Sequence, residues 1–150
     1  MDTSATVHFA SHFRHALDDK NRLTIPSGWR AAFGADDVFL AVPNPDGYVS
    51  VLPPAEVEKL KVKVAQVPLS DAAGQAQIAA FFAASQTLTF DKQGRIALGD
   101  GLLKHAQVAK EAVLVGMLNT FNIYSAERWD VDQARSSPAA VAAFMQRFGI

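Results

Sequence analysis

Two short stretches of this chain repeat one pattern. Leu17-Asp18-Asp19-Lys20-Asn21-Arg22-Leu23 and Phe90-Asp91-Lys92-Gln93-Gly94-Arg95-Ile96 each run apolar residue, Asp-x-x-x-Arg, apolar residue. They stand about half of the 150 residues apart. The chain therefore reads as two copies of one unit, and a repeat of that kind restricts the architecture before any single element is assigned. A turn that ends in an exposed Arg, made twice, also points to a binding surface rather than to a catalytic cleft.

The elements around the two stretches follow the same order. Val7, Phe9, Phe13 and Leu17 have the two-residue spacing, with breaks, of a half-buried strand. Leu23-Thr24-Ile25 resumes beyond the Asp-Asp-Lys-Asn turn, so 12–25 reads as a hairpin or as a strand–loop–strand. Pro26 stops the strand, and Ser27 is placed to cap a short helix through Phe33, ended by Gly34. Strands at 38–42 and 48–52 flank the turn Pro43-Asn44-Pro45-Asp46-Gly47. Pro54 opens a helix to about Val67, and Asp71 caps another to about Ala84. The series then restarts, with strands at 86–90 and 95–98 and a short helix capped by Asp100. Further strands follow at 112–116 and 121–124, and a helical region runs from Ala126. This predicts an α+β fold with three divisions: 7–84 as a first repeat with connecting helices, 85–135 as a second, and 136–150 as a helical tail.

The turn chemistry explains the spacing. Asp18 and Asp91 are placed to accept the backbone N–H two residues on, as Asx turns. Asn21 and Gly94 occupy the slot before each Arg, and these residue types best tolerate a positive φ. Each Asp can also pair with its Arg and hold the guanidinium in one orientation, which suits bidentate recognition of a phosphate or a guanine edge. A surface ion pair without function is the competing account of such a pattern. Repetition, with Lys20 and Lys92 inside the loops, favours binding.

Composition narrows the function classes. With 49% hydrophobic and 19% charged residues the chain is globular, and at this length it should bury roughly two-thirds of its unfolded surface. The absence of Cys removes disulfides, thiolate metal sites and Cys nucleophiles, and fits a cytoplasmic setting. Met1-Asp2-Thr3-Ser4 lacks the basic and apolar regions of a signal peptide, and no apolar run nears the ~20 residues of a membrane helix. The net charge of −1 argues mildly against nucleic acid, but the cations follow the repeat. Arg14, Lys20, Arg22 and Arg30 stand against Asp18 and Asp19 in 11–30, and Lys92, Arg95, Lys104 and Lys110 against Asp91 and Asp100 in 86–110.

Other chemistries find little support. His8, His12 and His15 have the spacing of a helical metal face, but on a strand His15 points opposite to the other two. No nucleophile elbow or Gly-rich phosphate loop is present, so neither an enzyme nor a cofactor is expected. Trp29 and Trp129 read as packing residues rather than base-stacking platforms. The Ala-rich segment 71–84, with Ile78, Phe81 and Phe82, reads as a helix buried against the rest of the fold or a neighbouring subunit.

At the doubled motif the chain resembles the MraZ family, within the AbrB-like group of bacterial transcription factors. Asp18 to Arg30 is similar to that family's first signature, Asp-x-Lys-Gly-Arg-x-x-x-Pro-x-x-x-Arg. Asp91 to Ile96 resembles the second, and Val113-Leu114-Val115-Gly116 with Asn119-x-Phe121-x-Ile123-Tyr124-Ser125 its downstream strands. The resemblance spans roughly residues 7–130. It implies two repeats forming one intertwined β-barrel with peripheral helices, and ring-shaped homo-oligomers associated with the nucleoid. It also implies binding of double-stranded DNA at short direct repeats near the protein's own promoter, upstream of the division and cell-wall genes. Carried over by position, the DNA-contacting residues are Asp18, Lys20 and Arg22 in the first loop and Asp91, Lys92 and Arg95 in the second, with Arg14 beside them. The chain departs from the pattern at Asn21, where Gly is usual, at Gly99, where Pro is expected, and at Leu103, where a basic residue is common. The first copy is thus the stronger candidate. A rival reading is a protein-interaction or antitoxin-like ring of the same fold that has lost DNA binding; its support is the negative net charge and the altered second copy.

Overall fold

Local chemistry sets where the elements begin and end. The computed structural model describes residues 8–150; Val7 and the Met1–Ser4 reading lie outside the described residues. The first series comprises β1 (His12–Ala16), β2 (Arg22–Thr24), α1 (Ser27–Arg30), β3 (Phe39–Asn44) and β4 (Tyr48–Leu52). Two helices follow, α2 (Pro54–Ala65) and α3 (Ala72–Ala83). The second series comprises β5 (Gln86–Leu88), β6 (Arg95–Ala97), α4 (Asp100–Ala106), β7 (Glu111–Gly116) and β8 (Phe121–Ser125). Helices α5 (Ala126–Arg135) and α6 (Pro138–Phe148) complete the chain, giving the expected mixture of helix and sheet.

Pro54 stands at the start of α2, where its missing N–H costs nothing, and the Asp71 carboxylate accepts the Gly74 N–H at 2.9 Å to cap α3. Two caps differ from expectation. Ser27 is the first residue of α1, with Pro26 at the cap position and no side-chain cap, and the helix is a single turn that stops at Arg30, short of Phe33. Asp100 likewise lies inside α4, with Gly99 at the cap. The Gly99 N–H donates instead to Gln86 Oε1 at 2.8 Å, while Gln86 Nε2 donates to the Ala97 carbonyl at 2.9 Å. α4 has no side-chain cap, and Gln86 bridges its start to β6 instead.

Strand partners are mostly distant in sequence. The β1–β2 segment is not a hairpin: β1 pairs with β7 and β2 with β6. Every ladder is antiparallel, and two of them, β3–β4 and β7–β8, are hairpins. β5 returns to pair with β3, and β4 pairs with β8. The strands thus form a six-stranded sheet, β1-β7-β8-β4-β3-β5, and a separate two-stranded ribbon, β2-β6. They do not close into the single barrel that the resemblance implied: β2 and β6 have three residues each and pair only with each other, while β1 and β5 end the larger sheet. The pairing scheme is unchanged when the two series are exchanged, because each cross-pair maps onto itself or onto another.

Alternation along the strands builds one core. Val49 and Val51 of β4, Phe121 and Ile123 of β8, and Leu23 and Ile96 of the ribbon are all buried in it, with Leu102, Leu103 and Ala106 of α4. Trp29 of α1 meets Phe9, Phe13 and Phe121 with ring centroids 5.1–5.5 Å apart. Gly116 lets the chain at Phe9 and Ala10 approach closely, since a Cβ there would strike their backbone. The connecting helices contribute no fully buried residue: in α3, Ile78 and Phe82 are half-buried and Phe81 is exposed, so a single chain does not bury that helix as expected. No helix among the described residues is long and apolar enough to cross a membrane.

Candidate functional site

The two Asp-x-x-x-Arg turns match bond for bond. In the first, Asp18 Oδ1 accepts the N–H of Lys20 at 2.9 Å and of Arg22 at 2.8 Å, and Oδ2 accepts Arg22 Nε at 2.7 Å. In the second, Asp91 Oδ1 accepts the N–H of Gln93 at 2.9 Å and of Arg95 at 2.8 Å, and Oδ2 accepts Arg95 Nε at 2.8 Å. Asn21 and Gly94 take positive φ, 58° and 73°, as their side chains permit. Each turn is closed by the N–H of its Asp donating to the carbonyl of its Arg at 3.0 Å.

The ribbon sets the turns side by side. Leu23 pairs with Ile96 and both point into the core, so Arg22, Thr24, Arg95 and Ala97 share the outer face. Arg22 lies opposite Ala97 and Arg95 opposite Thr24, which makes the two arginines diagonal neighbours. Asp18 Oδ2 also lies 3.6 Å from Arg95 Nη1, so one carboxylate serves both guanidinium groups. The turns are tied by their backbones too: the Leu98 N–H donates to the Asn21 carbonyl at 3.2 Å and the Ile25 N–H to the Gly94 carbonyl at 3.0 Å.

Burial in the first turn works to raise the Asp18 pKa. It is outweighed by the Arg22 N–H, the Arg22 guanidinium and the Lys20 N–H, which hold the carboxyl at about 2, below its ordinary 3.8. Asp91 is lowered as well, first by the Arg95 N–H and then, against some desolvation, by the Arg95 side chain and the Gln93 N–H. A carboxyl lowered in the folded state stabilises the fold above its unfolded pKa, and that contribution disappears as pH falls through the folded value. Acid titration of the melting temperature is therefore expected to show a loss between about pH 4 and pH 2 that Asp18→Ala reduces, leaving the share due to Asp91; a variant whose acid profile matches the parent would contradict this role for Asp18.

Other sequence-chosen residues fall as follows. Lys20 and Lys92 are exposed at the turn tips. Arg14, on β1, is drawn away from the cluster: it pairs with Asp130 at 2.7 Å and Glu111 at 3.3 Å, which raise its pKa. His12 stacks beside Trp129, with centroids 5.3 Å apart. Among the described residues no group of three or more His, Cys, Asp or Glu is placed to hold a metal. Gln93 escaped the sequence reading, and Arg30 entered it only as one of the basic residues and as the end of the first signature. Gln93 Oε1 accepts Arg95 Nη2 at 3.1 Å, and Arg30 Nε donates to the Ile25 carbonyl at 2.8 Å while its guanidinium lies against Gly94. The signal for Arg30 was its place at the end of the Pro26-x-x-x-Arg30 stretch; Gln93 carries no local signal.

Lys20, Arg22, Arg30, Lys92 and Arg95 thus gather against three carboxylates, Asp18, Asp19 and Asp91, two of which are occupied in holding arginines. Such a face carries positive charge on an otherwise acidic chain. Among the described residues, the Nη atoms of Arg22 have no hydrogen-bond partner, while Arg95 has all three nitrogens engaged.

A family model described as "MraZ protein, putative antitoxin-like" matches residues 81–147. A protein of Halothermothrix orenii named transcriptional regulator MraZ is 33% identical over 95% of this chain and 99% of its own length. The chain belongs to the MraZ family. The similarly named MraZ protein of Clostridium acetobutylicum is 32% identical over 95% of this chain and 99% of its own. That of Pediococcus pentosaceus is 37% identical over 81% of this chain and 84% of its own. The MraZ relatives are named as regulators of transcription and not as enzymes.

Proposed function

We propose that this chain is a cytoplasmic, nucleoid-associated transcriptional regulator that binds double-stranded DNA through the paired turns. The observation carrying this reading is the convergence of two identically bonded Asp-x-x-x-Arg turns on the outer face of one ribbon. Asp18 and Asp91 shape and orient; Arg22, with Lys20, Arg95 and Lys92, meets phosphates and base edges. Arg14, already held by two carboxylates, contributes least. The two series act as tandem repeats, 7–84 and 85–135, wrapped around one core and followed by the tail 136–150. The exchange symmetry of the strand pairing supports that division.

A single pair of turns spans few base pairs, so useful affinity calls for several copies. A ring-shaped homo-oligomer reading short direct repeats near its own promoter, ahead of division and cell-wall genes, supplies them: each subunit adds a modest contact and linkage multiplies the whole. The relatives' names support the regulatory part of this reading. A gel-shift series with the DNA upstream of the protein's own gene tests it. Specific binding is expected, with log affinity falling against log salt by about 0.9 per phosphate contacted. No shift even at low salt would favour the interaction-module reading, to which the family description "antitoxin-like" lends a word of support.

A further inference from the structure

The departures of the two turns from each other are correlated. The residue before the Arg is Asn21 in the first turn and Gly94 in the second; at equal distances beyond the Asp stand Arg30 and Leu103. Gly94 is usually explained by its positive φ, yet Asn21 adopts the same region in the first turn, so φ alone does not demand glycine. Space does. A Cβ at Gly94 would collide with Cζ, Nη1 and Nε of Arg30. The far end of an arginine normally yields to such a clash, but Arg30 Nε is tied to the Ile25 carbonyl at 2.8 Å, and the Ile25 N–H in turn donates to the Gly94 carbonyl at 3.0 Å.

In the other series Leu103 points into the core, 7% exposed, so nothing comparable covers Asn21. Arg30 also has no carboxylate at ion-pair distance among the described residues, since Asp91 is engaged with Arg95. Its half-buried guanidinium is therefore placed by backbone and shape rather than by a counter-charge.

We propose that Arg30 is a positioning residue for the second turn: pinned on the Ile25 carbonyl, its guanidinium lies against Gly94 and fixes the pose from which Lys92 and Arg95 project. The first series thereby holds the second turn, and the second series lends no equivalent clamp to the first. Asn at position 21 and Leu at position 103 are two halves of one compensated difference. The inference rests on the DNA-binding reading for its consequence but not for its geometry.

The test is a double-mutant cycle of Gly94→Asn and Arg30→Ala, with Asn21→Gly as control. Asparagine tolerates the φ of the turn, so Gly94→Asn isolates the contact with Arg30. Two readouts are used: the ratio of affinities for the upstream DNA and a scrambled duplex, and hydrogen exchange of the Ile25 and Arg95 amides. Gly94→Asn is expected to lower the affinity ratio about tenfold. The double variant should return to the milder level of Arg30→Ala, and Asn21→Gly should leave the exchange of the Ile25 and Arg95 amides as in the parent. Melting temperatures identify any variant that fails to fold; should Gly94→Asn fail, Arg30→Ala alone carries the test, faster exchange of the Arg95 amide being expected and an unchanged rate overturning the clamp. Additive effects in both readouts, or a Gly94→Asn variant indistinguishable from the parent, overturn the clamp. If the parent binds no DNA, the functional reading falls, while non-additive amide exchange still establishes the clamp and additive exchange removes it.

Discussion

Arg22→Ala is expected to abolish specific DNA binding and to leave the melting curve and the oligomer where they were. Asp18 keeps its turn through two backbone N–H bonds to Oδ1 that do not involve the Arg22 side chain. Removing the guanidinium therefore deletes one partly exposed ion pair, a contact worth little to folding, and Arg95 Nη1 remains close to Asp18 at 3.6 Å. What is lost is a pre-oriented fork with its Nη atoms free, the group best suited to a guanine edge or a phosphate. One such bidentate contact is worth about 1–3 kcal/mol in discrimination, and identical copies multiply the loss. Arg22→Lys supplies the sharper control: the charge stays and the fork goes, so salt-dependent non-specific binding should persist while the preference for the upstream sequence falls. A gel shift in which Arg22→Ala retains the parental affinity at equal salt would remove Arg22 from the interface.

Much of this site was legible because turn chemistry is local. The Asx bonds of Asp18 and Asp91, the positive φ of Asn21 and Gly94, and the Asp–Arg pairs all arise within five residues, and each is present in the fold. The β3–β4 hairpin was equally plain from its Pro- and Gly-rich turn, although Pro43 and Asn44 belong to the ladder and only Pro45-Asp46-Gly47 turns. What could not be read was decided by partners far along the chain. β1 and β2 flank one loop and could be read as a hairpin or as a strand–loop–strand; the second holds, each strand pairing with one of the other series. The start of α4 was misread because Gly99, held by the remote Gln86 side chain, takes the cap position in place of Asp100. Arg14 looked like part of the basic loop by sequence distance, but folding sets it beside Glu111 and Asp130. Arg30 failed in the opposite sense: an arginine closing a short helix gives no hint that it rests on a glycine of the other series.

Trp29→Ala is expected to be the most damaging single change to stability. Trp29 is 4% exposed and is the point where the segment at Phe9, β1 of the first series and β8 of the second meet. Its ring lies 5.5 Å from Phe9, nearly perpendicular, 5.4 Å from Phe13 of β1 and 5.1 Å from Phe121 of β8. Its Nε1–H donates to the Ala10 carbonyl at 3.2 Å. Truncation leaves a cavity among three phenylalanines that rigid strands cannot refill, a loss of about 3–5 kcal/mol, and it orphans a carbonyl besides. Set against the total stability of about 5–15 kcal/mol usual for a domain, and at about 2–4 °C per kcal/mol for a chain of this size, the melting temperature should fall by about 10 °C or more. Trp29→Phe keeps most of the apolar contact and loses the hydrogen bond, so its drop should be a minor fraction of that. The two variants also separate stability from function, because Trp29 precedes Arg30 on a one-turn helix. Trp29→Phe should preserve the Arg30 contact with Gly94 and bind DNA normally below its melting point. Calorimetry that finds Trp29→Ala as stable as Trp29→Phe would show that the aromatic cluster does not hold the core together.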